Sequence, residues 1–524
     1  MDNKKKTIIL LLVIMLLCQA VLCGCQGAES KEILIGADNP PEPCDMGEDF
    51  SRYSGRRIGV TSGTVQEKYL SAKIEGAVPA YYENFADMAV ALLQGKIDAY
   101  IMPYKSATTL MAENPNITYD PQQLAVDFVG MTFSKDAHGE ELRDQFNTYL
   151  HKLQDSGRFE ELRAMWFGNE TDKRGTPDYD MLNDNTNGTI RFCAASTVDP
   201  FCFIYENKYR GVDMDLMVGF CEEYGYKLEM DIAPVSSLLV GLATSVYDMG
   251  GGGIAYTEER AESILFSEGY FFSPQVFILP KANAIKKGFA ESVIDEFNKT
   301  FIEEARWKLI VSGIGTTFLI TICAFILGSA LGVVVYMLIS SKKKWCNKLG
   351  DWYIKIMQGI PTVVILMVLC YVVFAKAHIS EVLVAIIGFA LILGSETGEL
   401  YKGGINSVGI GQTEAGLAIG LTKSQTFKGI VLPQAARVIL PGYRSAFISL
   451  LKSTSIAGYI AVTDLTKMSD IIRSRTYSAF FPLISTAIIY FIASYVIARF
   501  FEAVSKKFEP QLENRHIKGV EIHD

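Results

Sequence analysis

The chain has 524 residues, 49% of them apolar and 20% charged, with a formal net charge of −9. Soluble globular proteins carry about 25% charged residues, so a wholly soluble enzyme is disfavoured, and the acidic surplus argues against a nucleic-acid binder. Ten cysteines and five histidines are scattered without a CxxC pair or a His/Cys cluster, so no metal site and no catalytic histidine motif is expected.

Residues 1–25 read as an export signal. Lys4, Lys5 and Lys6 precede an apolar run from Thr7 to Val21, which is short for a membrane span. Leu22-Cys23-Gly24-Cys25 follows, and small residues before a cysteine resemble the bacterial lipoprotein signal. That resemblance implies lipidation of Cys25; an uncleaved N-terminal anchor is the other reading. Both place residues 26–308, charged throughout, outside the cytoplasm.

Within that region, Arg56-Arg57-Ile58-Gly59-Val60-Thr61-Ser62-Gly63-Thr64 predicts a strand, a turn and a helix start. Free N–H groups at such a helix start suit an anionic ligand. Gly95-Lys96-Ile97-Asp98-Ala99 leads into another strand. Leu142, Phe146, Leu150, Leu153, Phe159, Leu162 and Trp166 recur at helical spacing and predict a core-facing stripe. A polar linker, 169–188, separates this part from a second. There, Thr189 to Ala195 is a strand pattern, Gly211-Val212-Asp213-Met214-Asp215-Leu216 opens a helix, and Tyr256-Thr257-Glu258-Glu259-Arg260 and Phe266-Ser267-Glu268-Gly269-Tyr270 follow.

These motifs resemble the periplasmic-type amino-acid-binding proteins, an α/β two-lobed clamshell. Residues 52–168 look like its second lobe with the C-terminal helix, and 189–281 like its first, so lobe two precedes lobe one. Either one clamshell is circularly permuted, or two binding domains have each lost a half. The resemblance implies that Arg260 holds a ligand α-carboxylate, a task suited to a guanidinium fork, opposite Ser62, Gly63 and Thr64. The plain alternative is a surface arginine paired with Glu258 or Glu262. Three positions depart from the family. Met102-Pro103-Tyr104 stands where an acid meets the ligand ammonium, Val198 where an aromatic stacks, and Ala255 where a hydroxyl residue sits. Asp199, beside Val198, is the candidate substitute acid.

A juxtamembrane amphipathic helix is expected over 286–308, and an all-α membrane region over 309–504. Charge-free runs span Leu309–Ser341, Ile356–Ala375 and Thr476–Ala498, each long enough to cross a bilayer. Val382–Tyr401 and Ala446–Val462 add two spans with a few charges, making five helices. Lys342, Lys343, Lys344, Lys348, Lys402, Lys423, Lys428 and Arg437 fall on one side, with a basic tail over 505–524. The positive-inside rule makes that side cytoplasmic. Arg473 and Arg475, in the expected outer loop 464–477, run against the bias. Lys452, in the fourth span, either faces protein or water or snorkels to the interface.

The cytoplasmic loop 411–435 contains Glu414-Ala415-Gly416, then Gly420, and Ile430-Val431-Leu432-Pro433. This resembles the EAA loop of ABC-importer permeases, E-A-A-x3-G-x9-I-x-L-P, with Gly416 in place of the third-position alanine. Gln358-Gly359-Ile360-Pro361, the Glu399–Gly404 stretch and Leu451-Lys452-Ser453-Thr454-Ser455 resemble the polar amino-acid subfamily in particular. The resemblance implies two short helices joined at Gly420, a conformationally permissive turn residue, that dock into a separate cytoplasmic ATPase. ATP and Mg would then belong to that ATPase dimer, with no cofactor in this chain. A second permease chain, membrane lipid and a small solute complete the expected partners. The function implied is a fused solute-binding and permease subunit of an ATP-driven importer in a bacterial cell membrane, for a polar amino acid or related carboxylate. A ligand-gated receptor or channel is the alternative.

Overall fold

The structure, a computed structural model, describes residues 49–506 except 62–63, 83, 168–185, 196–198, 206–207, 282–288, 376, 378 and 477. Cys25, Ser62, Gly63 and Val198 therefore lie outside the described residues, as does the tail beyond Lys506. The chain divides into two units: Met1–Ile310 with Met468–Leu483, and Val311–Lys467 with Ile484–Asp524.

The first unit begins with β1 (Arg57–Val60), α1 (Val65–Lys73), β2 (Val78–Tyr81), α2 (Phe85–Leu93), β3 (Ala99–Pro103), α3 (Tyr104–Glu113), β4 (Ile117–Tyr119), β5 (Ala125–Val129) and β6 (Thr132–Phe133). The helices α4 (Ala137–Asp155) and α5 (Arg158–Phe167) follow. Then come β7 (Thr189–Ala195), β8 (Phe203–Tyr205), β9 (Lys208–Arg210), α6 (Val212–Tyr224), β10 (Lys227–Ala233), α7 (Val235–Ala243), β11 (Met249–Gly251), α8 (Glu258–Ala261), β12 (Leu265–Phe266) and β13 (Phe271–Pro280).

Local chemistry sets many of these boundaries. The side chain of Asn84 accepts the Asp87 N–H at the start of α2, and that of Asp136 accepts the Gly139 N–H at the start of α4. Gly225, at φ 69°, ends α6 in the left-handed region.

Two sheets form. The first has the order β2-β1-β3-β13-β4, with β5 also paired to β13; the second has the order β10-β7-β11-β6-β12. In each, the strands joined through helices run parallel, as β1 does with β2 and β3, and β7 with β10 and β11. The expected division at 169–188 is not the division of the sheets. The strand β13, from the later part of the chain, runs antiparallel through the first sheet against β3, β4 and β5. The strand β6, from the earlier part, sits between β11 and β12 in the second. Each stretch thus donates a strand to the other's sheet.

The stripe on α4 and α5 packs against the second sheet's helix α6. Phe146 meets Phe220 edge to face at 5.5 Å, and Trp166 is 1% exposed. The Trp166 indole N–H donates to Asp215 at 2.5 Å, so this large ring is buried with its polar atom satisfied.

Beyond 281, α9 (Phe289–Phe297) stops early. A π turn, Asn298–Ile302, and a 3-10 turn, Glu303–Ala305, replace the continuous helix expected to 308. Glu304 and Ala305 both take φ 52°, which no helix accommodates. The buried Arg306 holds this corner, donating to Glu304 at 2.8 Å and to the Lys299 carbonyl.

The second unit is helical: α10 (Trp307–Ile339), α11 (Lys344–Gly359), α12 (Thr362–Val368), α13 (Glu381–Asn406), α14 (Ile410–Ala418), α15 (Lys423–Thr426), α16 (Leu432–Ser453), α17 (Leu465–Thr476) and α18 (Phe480–Lys506). The helices α10 and α18 begin in the first unit, which also takes α17 from Met468 onward. Among the described residues, three helices (α10, α13 and α18) are long and apolar enough to cross a membrane, or up to five if each bent pair is one span.

The charge-free run Ile356–Ala375 is not one straight helix, because α11 and the following helix turn by 105° at Ile360-Pro361. Ile360 is extended (φ −106°, ψ 133°), as the residue before a proline prefers. The expected loop 464–477 is largely the helix α17, whose first N–H groups, from Thr466 and Lys467, are accepted by Asp464. Small residues bring α10 and α13 together. A Cβ on Gly332 would lie 2.1 Å from the Thr397 hydroxyl, and one on Gly398 2.6 Å from Val335.

Candidate functional site

In the first unit, α1 and α8 face a cavity of about 580 Å³ lined by Thr64, Glu67, Lys68, Val240, Thr257 and Arg260 among others. A second cavity of about 420 Å³ shares Val65, Lys68, Thr257 and Glu259 with it. Such volumes suit a small solute. Thr64 precedes α1 in an extended conformation, and its hydroxyl donates to the Thr61 carbonyl at 2.6 Å rather than capping the helix. The first-turn N–H groups of α1 therefore keep their positive end without a side-chain cap.

Across the cavity, Thr257 caps α8 by accepting the Arg260 N–H at 3.2 Å. The Arg260 guanidinium donates to the Ala255 carbonyl at 2.7 Å, which fixes its base. Burial lowers its pKa, while the charges of Asp127 and Glu259 act to keep it protonated. Asp127 is 5% exposed and accepts the Tyr69 hydroxyl. Burial pushes its carboxyl up, against the pull of Tyr69, Arg260 and Gln275. An ion pair between Lys68 and Glu259 joins α1 to α8 at the cavity rim.

The structure thus brings Thr64 and Arg260 to one cavity. Ala255 contributes its carbonyl behind Arg260. Asp199 is elsewhere: its carboxylate accepts from Arg475 at 2.8 Å, and its carbonyl accepts the Ser106 hydroxyl at 2.9 Å. It is therefore not placed as the substitute acid, because its charge is already paired. Sequence reasoning passed over Glu67, which lies on the cavity wall and accepts the Tyr81 hydroxyl at 2.9 Å; acidic residues on a helix surface give no signal of their own.

The two acids of the Gly211–Leu216 motif tie the start of α6 to neighbouring segments. Asp213 accepts from the Gly252 N–H at 2.6 Å and from the Tyr270 hydroxyl at 2.5 Å. Burial pushes the carboxyls of Asp213 and Asp215 up to about 6, partly offset by these hydrogen bonds and by that of Trp166.

In the second unit, α14 and α15 are two short helices joined through Gly420 at φ 89°, a conformation that an L side chain rarely adopts. Glu414 and Ala415 are exposed on α14, and Gly416 is buried. A Cβ on Gly416 would lie 2.5 Å from Thr426 Cγ2 and 3.0 Å from Ile430, so this position needs glycine where the family carries alanine. Thr422 and Gln425 form a capping box that starts α15. Phe427–Val431, which contains Ile430, is a π turn, after which Leu432 and Pro433 open α16. The chain stays helical through Val431, so Pro433 sits where the wider π turn gives way to α helix rather than at a free helix end. Five large apolar side chains on this loop stand exposed: Ile410, Leu417, Ile419, Phe427 and Leu432.

Glu396 and Glu399 are also exposed on α13, as are Ser449 and Lys452 on α16. Glu396, Thr362, Ser449 and Ser453 line a small cavity of about 20 Å³. The Gln358 amide donates to Glu399 at 2.7 Å.

Comparison with known proteins matches residues 324–510 to the family described as "Binding-protein-dependent transport system inner membrane component". Residues 190–404 match "Bacterial extracellular solute-binding proteins, family 3". The probable amino-acid ABC transporter permease protein YckA of Bacillus subtilis (strain 168) is 34% identical over 203 residues, which is 38% of this chain and 88% of that protein. The L-cystine transport system permease protein TcyB of the same organism is 30% identical over 210 residues, 40% of this chain and 90% of its own length. A solved amino acid ABC transporter, crystallised with histidines, covers 43% of this chain and 100% of its own at 26% identity, with a TM-score of 0.37. The chain is an integral membrane protein that belongs to the inner-membrane components of binding-protein-dependent transport systems, as the fused solute-binding and permease subunit of an ABC importer.

Proposed function

We propose that the chain imports a polar amino acid, with one permuted clamshell as its receptor and ATP hydrolysed by a separate cytoplasmic ATPase dimer. The observation that carries the solute class is the shared cavity of Thr64 and Arg260. A half-buried guanidinium opposite an uncapped helix N-terminus suits a carboxylate. Glu67, on the same wall, is the acid available to an ammonium group in place of Pro103 and Asp199. The relatives, a probable amino-acid permease and an L-cystine permease, point the same way. The permuted order is supported by the exchange of β6 and β13 between the sheets.

The exposed apolar side chains of the loop 410–432 suit docking into an ATPase cleft. A second permease chain is supported by the exposed polar side chains of α13 and α16, Glu396 and Lys452 among them, which would be costly against lipid. The receptor lies outside, the coupling loop and C-terminus inside, and Cys25 carries the lipid. ATP and Mg act on the partner ATPase, and no reaction is assigned to this chain. Titration of the full-length chain in nanodiscs with L-glutamine, L-cystine and succinate tests the solute class. An amino acid should bind and succinate should not; heat from none of the three would remove the receptor reading.

A further inference from the structure

The first unit takes in Met468–Leu483, a segment that lies between two membrane-region helices in the sequence. Two arginines of α17 are engaged there. Arg473 pairs with Asp87, on α2 beside the first sheet, at 3.2 Å. Arg475 pairs with Asp199, in the loop after β7 of the second sheet, at 2.8 Å. Arg475 also lies over the Phe203 ring at 4.6 Å and 3.6 Å from Glu304. These contacts are sheltered: side-chain exposure is 12% for Arg473, 18% for Arg475, 26% for Asp87 and 6% for Asp199. Ile471 and Ile472, at 4% and 0% exposure, bury the apolar side of the same turns.

Two helical positions separated by two residues point about 200° apart. Arg473 and Arg475 therefore reach in nearly opposite directions, one to each sheet. We propose that α17 is a two-point clasp, held to the first sheet through Arg473–Asp87 and to the second through Arg475–Asp199, so that any change in the spacing of the sheets moves it. The ligand cavity lies between α1 of the first sheet and α8 of the second, so its opening and closing change that spacing. The helix α17 is covalently continuous with α16 through 454–464 and with α18 after it. The clasp thus passes the state of the cavity directly into membrane-region helices of the same chain. A receptor that binds its permease only through its outer surface would need no such insertion. This consequence for transport rests on the importer reading above; the clasp itself does not.

Hydrogen–deuterium exchange on the full-length chain in nanodiscs, without solute or ATP, tests it. Arg475→Ala should raise exchange about tenfold in 199–205 and 468–476, and Arg473→Ala should do so in 85–93 and 468–476. Both should also loosen the cavity walls at 65–73 and 258–261. Arg475→Lys, which keeps the charge but loses the planar fork, should retain part of the protection. The charge exchange Arg475→Asp with Asp199→Arg should restore protection relative to either single reversal, which a merely misfolded variant would not do. Unchanged exchange at the cavity walls in both alanine variants would overturn the proposal, as would a charge exchange no better protected than the single reversals. The result does not depend on transport, so a chain that imports nothing could still show the clasp, and an active importer could lack it.

Discussion

Replacing Arg260 by methionine removes a charge from the cavity wall while keeping a side chain of similar reach. Arg260 is half-buried, anchored at Ala255 and electrostatically coupled to Asp127 and Glu259. Truncating one partner of a sheltered, hydrogen-bonded charge pair weakens binding by about 2–5 kcal/mol, or about 30- to 4,000-fold in Kd at 1.4 kcal/mol per decade. Arg260→Lys keeps the charge but not the fork, and should fall between, about tenfold weaker. Methionine also leaves the buried Asp127 without its nearby cation, so some stability is lost, at about 2–4 °C of Tm per kcal/mol for a unit of this size. Calorimetric titration of the full-length chain with L-glutamine reads the first effect, and a thermal melt at the same pH reads the second. A folded Arg260→Met protein that binds L-glutamine with unchanged affinity would refute the assignment and return Arg260 to a surface ion pair.

Gly420→Asp should abolish uptake while leaving solute affinity unchanged, because it places a charged side chain at φ 89° in the loop proposed to dock on the ATPase; wild-type uptake would remove the coupling role. Glu396→Gln, at the polar face of α13, should lower the uptake rate with no change in receptor affinity, measured in proteoliposomes beside the parent protein. The Asp215 carboxyl, pushed up to about 6 by burial, holds its proton more tightly in the folded chain than in the unfolded one, where aspartate titrates near 4. Its contribution to stability is therefore full below about pH 4 and is lost as pH rises through about 6. Asp215→Asn should remove that decline, worth about 2 kcal/mol after solvent screening, in melts taken across the window; identical pH profiles would contradict it.

Features written in adjacent residues were legible in the sequence. Gly420 is read from its own backbone chemistry and joins two short helices in the structure, while Pro433 stands where a π turn passes into α16. The stripe ending at Trp166 repeats at helical spacing and, apart from the half-buried Leu153, is buried. Pro361 was harder to interpret. It sits inside a charge-free run, so hydropathy alone gave a continuous span, whereas the missing N–H and the extended Ile360 break it. The exchange of β6 and β13 between the sheets was illegible for a different reason: strand pairing is non-local, and no residue of Thr132–Phe133 carries a mark of its partner. Asp199 and Arg475 lie 276 residues apart. The sequence offered Asp199 as a solute-binding acid and Arg475 as an exception to the positive-inside bias, and each explains the other once they are seen as a pair.

As proposed, a dimer of this chain imports its solute at the expense of ATP. The most direct measurement is uptake of labelled L-glutamine and L-cystine into proteoliposomes holding the full-length chain and its ATPase, with the stoichiometry of the purified complex taken by mass photometry. Two permease chains and two ATPase chains are expected, with accumulation that requires ATP and stops in Gly420→Asp. Solute flux that runs down its gradient without ATP, or a complex holding a single permease chain, would contradict it.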